Sequence, residues 1–186
     1  MDEQAIREEV ARRAVELGGP TDPRDVTLEF MEAEAAPGCR LFHARWGAGE
    51  RENSLSGLVM DAEPPDTYPG QALAKIFRRW IETEGSLPDA RHAAKVSAYV
   101  FNPAGRREVI LSEEDRSRLI ERSEWLPHVR LPALIELGGQ PGVAFWWIGR
   151  RGASEMRFYF DEAGRIRIGE KSIRDFLQGE VAESSA

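Results

Sequence analysis

Apolar positions recur along this 186-residue chain at two spacings, and the changes between them lay out its elements. Ile6, Val10, Ala14 and Leu17 fall on one helical face over residues 3–17, with Arg7, Glu8, Arg12, Arg13 and Glu16 around them. Gly18-Gly19-Pro20 ends that helix. The spacing then changes to two. Val26, Leu28 and Phe30 alternate as a strand, residues 39–46 form a second, and residues 55–60 a third. After a proline-bearing connector, Leu73, Ile76, Phe77, Trp80 and Ile81 give the clearest helical spacing in the chain. A further helix is expected to start at Ser86, with Asp89 bonding back in a capping box, and to run to about Ala98. Residues 96–101 are β-branched and aromatic enough to form a strand into 108–111 instead; helix is the favoured reading.

Ser112-Glu-Glu-Asp115 reads as a helix start, with a hydroxyl cap and acids at the positive helix end. Strands follow at 129–137, 143–149, 155–161 and 165–168, then a short helix at 172–177 and a flexible tail at 179–186. The last hairpin admits a register argument. A three-residue loop with Gly164 in the left-handed position pairs Phe160 with Ile166, Tyr159 with Arg167 and Phe158 with Ile168, and sets Asp161 beside Arg165.

Laid against itself, the chain resembles two copies. Val26–Phe30, Pro37-Gly38 and Leu41-Phe42 match Val129–Ala133, Pro141-Gly142 and Phe145-Trp146, and Ser54–Asp61 matches Ser154–Asp161. The expected fold is therefore α+β: two pseudo-repeated helix–three-strand–helix units with antiparallel sheets, over residues 1–105 (with two following helices) and 106–178.

Composition narrows the function. A chain that is 41% hydrophobic and 31% charged can bury a full core. Cys39 is the single cysteine, which excludes an intramolecular disulfide and a thiolate cluster. With no secretory pattern and no apolar run of spanning length, the expected compartment is the cytoplasm and no membrane is expected as a partner. Residues 1–92 hold 18 acids against 11 bases, whereas the remainder is balanced, so a nucleic-acid footprint is not expected. Arginine supplies 22 of the 25 basic residues, which fits a GC-rich, bacterial genome rather than guanidinium chemistry.

No catalytic or phosphate-binding motif is present, and neither cofactor nor metal is expected. His43, His92 and His128 stand far apart. Cys39 and His43 share one side of a strand, two pleats apart, and do not make a nucleophile pair. The aromatic strand is more informative. Trp146 and Trp147 project to opposite faces, Trp147 with Val143 and Phe145, Trp146 with Ala144 and Ile148. A strand apolar on both faces needs a second cover: a helix or the other repeat, or another chain or ligand.

Arginines surround this strand, and arginine beside aromatic groups concentrates binding energy at interfaces. Trp146, Arg150, Arg151, Arg157, Tyr159 and Arg167 are the candidate binding residues. The expected role is a non-catalytic cytoplasmic protein-binding module: an inhibitor, immunity factor, adaptor or assembly component that recognises another protein. The rival is a small-ligand-binding or enzymatic domain with a pocket in the concavity of one sheet, lined by His43, Trp46 or Tyr99.

Overall fold

A computed structural model describes residues 3–16, 22–31, 35–47, 53–60, 65–102, 107–120, 123–150 and 152–177. The fold is α+β with two antiparallel sheets. The chain divides into two compact units, residues 1–85 with 99–104, and residues 86–98 with 105–186. The sequence reading kept residues 86–98 with the first unit. Among the described residues, no helix is long and apolar enough to cross a membrane.

In the first unit, helix α1 (Glu3–Glu16) precedes a three-stranded meander, β1 (Thr27–Phe30), β2 (Cys39–Trp46) and β3 (Asn53–Met60). The apolar face of α1 closes over Leu28, Phe42, Ala44, Trp46 and Leu55, the side chains that alternation directs to one side of the sheet. The outer edge of β3 is occupied: Leu58 and Asp66 exchange two backbone hydrogen bonds of 2.8 Å. Helix α2 (Pro69–Glu84) starts on proline, buries Leu73, Ile76, Phe77 and Trp80, and ends at a left-handed Gly85.

Helix α3 (Ala90–Phe101) includes the ambiguous 96–101 segment, and the short strand β4 (Glu108–Ile110) forms as well. Its cap is Asp89, not Ser86: Asp89 Oδ1 accepts the His92 amide at 3.0 Å. Pro88 accounts for the correction, because a residue preceding proline is pushed out of the helical region. Helix α4 (Glu113–Leu119) is capped as expected, Ser112 Oγ accepting the Asp115 amide at 3.1 Å.

The second unit holds the larger sheet. Strand β6 (Gln140–Gly149) is central, with β4 and β5 (Ala133–Leu137) along one edge and β7 (Gly152–Phe160) along the other, followed by β8 (Ile166–Ser172). A closing helical turn spans 173–177. Strand β5 starts later than the expected residue 129, because the chain makes a turn at 125–129 and plugs Val129 into the core beside Trp146. Tail residues 179–186 lie outside the described residues.

The last hairpin has the expected register: Phe160 faces Ile166, Tyr159 faces Arg167 and Phe158 faces Ile168, with Gly164 at φ 70°. Ile168, on the edge strand, is nonetheless 48% exposed.

The duplication is not confirmed. Both units contain a three-strand meander, but hairpin-linked antiparallel strands produce that order generally. The matched segments are also out of step. Leu41 pairs with Leu58, whereas the matched Phe145 pairs with Met156, two residues from the equivalent Phe158.

Two substitutions test these assignments. A Cβ at Gly57 would lie 2.5 and 2.7 Å from Phe42 ring carbons and against the Asp66 carbonyl. Gly57→Ala is therefore expected to cost about 1–3 kcal/mol by overpacking, read in a denaturant melt. Gly164→Val strains the left-handed turn and is expected to cost about 1–2 kcal/mol. An unchanged thermal melt for Gly164→Val would contradict the turn.

Candidate functional site

Strand alternation places Trp146 and the hairpin arginines on one face of the larger sheet, in three rows that follow from the pairing. The first row is Ile135, Gly142, Tyr159 and Arg167; the second is Ala133, Ala144, Arg157 and Gly169; the third is Ile110, Trp146, Glu155 and Lys171. The third row is covered. Trp146 packs in a cluster with Ile110, Ile120, Val129, Ala153 and Ile173, flanked by Leu119, Trp125 and Phe176. At 1% exposure Trp146 is core, so the expectation that it stands accessible to a partner is corrected. The cover is the intramolecular one: α4, the turn after it and the 173–177 helical turn. The Phe176 ring lies 5.2 Å from that of Trp146, and Lys171 Nζ sits 3.9 Å over Phe176.

The first two rows run beyond this cover. Gly142 and Ala144 form a floor of small residues, Tyr159 and Arg157 are half-buried, and Arg167 is exposed. Gly142 is required there, since a Cβ would meet Tyr159 Cβ at 2.7 Å. The guanidinium groups are held in place rather than left to wander. Asp161 accepts the Arg165 amide at 2.9 Å, Arg165 Nε at 3.1 Å and Arg167 Nε at 2.9 Å. Arg157 Nε donates to Glu155 at 2.8 Å. Three arginines against two acids leave one surplus positive charge. The Arg165 amide, above all, holds the Asp161 carboxyl below its ordinary range, with the Arg165 and Arg167 side chains adding to it and burial opposing.

Arg157, Tyr159 and Arg167 are thus brought together, and Trp146 lies beneath the adjoining cover. Arg150 is exposed in the β6–β7 turn, nine positions and about 30 Å of strand from Tyr159. Arg151 lies outside the described residues. The sequence reading missed Asp161 as the shared anchor of two arginines, and it missed the small-residue floor. The β7–β8 register contained the first signal; the second needs the β6–β7 register.

Other polar groupings resolve as structure. Glu29, His43 and Ser56 stand in one row across three strands, residue types that a hydrolytic triad uses. Ser56 Oγ, however, is buried and donates its proton to the Val100 carbonyl, and Glu29 is paired with Arg45. His43 packs edge-on to Tyr99 at 6.5 Å between ring centroids. Tyr99 has its hydroxyl pushed up by burial and secondarily by Glu29. Trp46 belongs to the opposite face, so the three pocket candidates do not converge. Cys39 is buried, about 13 Å along the strand from His43. A groove of about 340 Å³ lies in the first unit, lined by Arg12, Arg13, Asp66, Thr67, Tyr68 and Lys75 among others, not in the concavity of a sheet. Its charges are paired locally: Arg12 with Glu9 and Glu16, Lys75 with Asp66 at 3.4 Å. Among the described residues, no group of three His, Cys, Asp or Glu side chains is placed to hold a metal ion.

No protein-family model, curated protein or solved structure matches this chain.

Two outcomes test the site. Trp146→Ala is expected to cost about 3–5 kcal/mol in a denaturant melt, the loss for an aromatic in a packed core. A small loss would return Trp146 to the surface. Asp161 contributes its anchoring above the unfolded-state carboxyl value of about 3.9, and the contribution is lost as pH falls through its lower folded-state value. The Arg165 amide resonance should therefore titrate with a midpoint below about 3.9, and Asp161→Asn should abolish the step. A midpoint at or above the ordinary value contradicts the anchor.

Proposed function

We infer that this chain is a non-catalytic protein-binding module, of the inhibitor, adaptor or assembly kind, whose contact surface is the open part of the larger sheet. One observation carries the reading: Arg157, held by Glu155, and Arg167, held by Asp161, stand beside Tyr159 over a small-residue floor, on strands rather than loops, beyond the edge of the core's own cover. An aromatic ring between oriented guanidinium groups is the composition of an interface hot spot. Prior ion pairing lowers the conformational entropy that binding must remove. The surplus positive charge favours a partner that presents carboxylates, to which arginine donates in bidentate fashion.

The test separates binding from folding. Tyr159→Ala and Arg167→Ala are compared with the wild-type chain in capture from a cell extract, each with a melt of the same protein. A specific partner should be lost with either variant, by about 2 kcal/mol or more in affinity, and its binding should weaken with salt. Capture that survives both substitutions overturns the assignment of the surface.

A further inference from the structure

We propose that two copies of this chain associate by antiparallel pairing of their β5 strands, extending the larger sheet across a twofold axis. Apart from the three-residue β4, the other outer edges of the sheets are each occupied or guarded. Asp66 bridges to β3; β1 carries Glu29 paired with Arg45; β8 exposes Arg167, Glu170 and Lys171. Natural sheets use such bridges and charges to block strand addition. Strand β5 differs. Its residues are Ala-Leu-Ile-Glu-Leu, its one strand partner among the described residues is β6, and Leu134 is 48% exposed.

The backbone of β5 is aimed for pairing. The loop Gly138-Gly139 has φ of 60° and 75°, a type I′ turn that hydrogen-bonds Leu137 to Gln140. Alternation along the ladder then turns the peptide groups of Ala133, Ile135 and Leu137 toward β6. Those of Leu134 and Glu136 face the open edge. Pro141 agrees with this phase. It lies opposite Glu136, where the β6 backbone faces β7, and the β6–β7 ladder begins one residue later, at Gly142.

The side chains select the second copy as occupant. Twofold pairing through Leu134 and Glu136 sets four backbone hydrogen bonds, each Leu134 exchanging two with the other copy's Glu136. It centres Ile135 on its own counterpart. On that face small Ala133 meets large Leu137 of the other copy on both sides of the axis, so the row is complementary to itself in size and polarity. The twofold axis is perpendicular to the sheet, so both Arg157–Tyr159–Arg167 patches share one face. Five strand spacings place the two Tyr159 residues about 24 Å apart. A bivalent, acidic partner would gain avidity from that spacing. The dimer itself does not depend on the partner-binding reading.

Sedimentation of the full chain from micromolar to millimolar concentration is the test. The wild-type chain should approach twice its 20.9 kDa mass. Leu134→Pro removes one outward-facing N–H while sparing the β5–β6 ladder, and should restore the monomer while the chain stays cooperatively folded. Should that variant unfold, oxidative crosslinking decides. Ile135→Cys faces its counterpart at a Cα separation of about 4.5 Å and should form an intermolecular disulfide. Ala133→Cys, offset along the strand by about 13 Å, should not. A wild-type monomer throughout, a dimer that survives a folded Leu134→Pro, or equal crosslinking by both cysteines overturns the proposal.

Discussion

Strand β6 cannot tolerate water on either side, and the second unit is arranged around that constraint. Val143, Phe145 and Trp147 on one face and Ala144 and Trp146 on the other are all buried. On the first face the Phe145 ring stacks on Phe158 at 5.6 Å and meets Trp147 edge-on at 6.0 Å, while the Arg107 guanidinium lies 4.2 Å over the Trp147 ring. On the second, Trp146 is closed over by Val129, Ile120, Ile173 and Phe176. The Trp146 and Trp147 indole N–H groups have no acceptor among the described residues. Both rings therefore act as hydrophobic bodies, and the cost of an unmet donor is carried by the apolar area they bury.

The proposed contact surface is a consequence of how far that cover reaches. A short helix, a turn and one closing helical turn protect the Trp146 row, but the sheet continues past them. There the face changes from large apolar residues to a buried glycine and alanine, flanked by half-buried Tyr159 and ion-paired arginines that reach water. Asp161 serves the fold and the surface together: it closes the hairpin turn through backbone amides and orients two guanidinium groups with the same carboxylate. A side chain held by its own strand and its own ion partner would lose little freedom on binding, which is the sense in which the proposed surface is prepared for a partner.

Edges are handled unevenly across the two sheets, and the difference is chemical. Charged side chains on β8 and a backbone bridge on β3 make strand addition unfavourable at those positions. The glycine turn before β6 holds β5 in phase with the sheet while Leu134 and Glu136 direct their peptide groups outward.

Much of the secondary structure was legible in the chain itself, because the signals are local. The spacing of Leu73 to Ile81 dictates α2, Ser112 and its acids dictate the start of α4, and the three-residue loop with Gly164 selects a single β7–β8 register. Two local readings failed for reasons that neighbouring residues supply: Pro88 displaced the cap from Ser86 to Asp89, and the turn at 125–129 took Val129 out of a strand. The apparent repeat rested on similar alternation, which any pair of half-buried sheets shares, and the strand registers do not follow it. Composition likewise marked Trp146, Arg157, Tyr159 and Arg167 as one group but was silent on which of them face water. Periodicity assigns a residue to a face of its strand. Only the tertiary packing decides where along that face the cover ends, because the cover comes from segments distant in sequence whose reach no local pattern encodes.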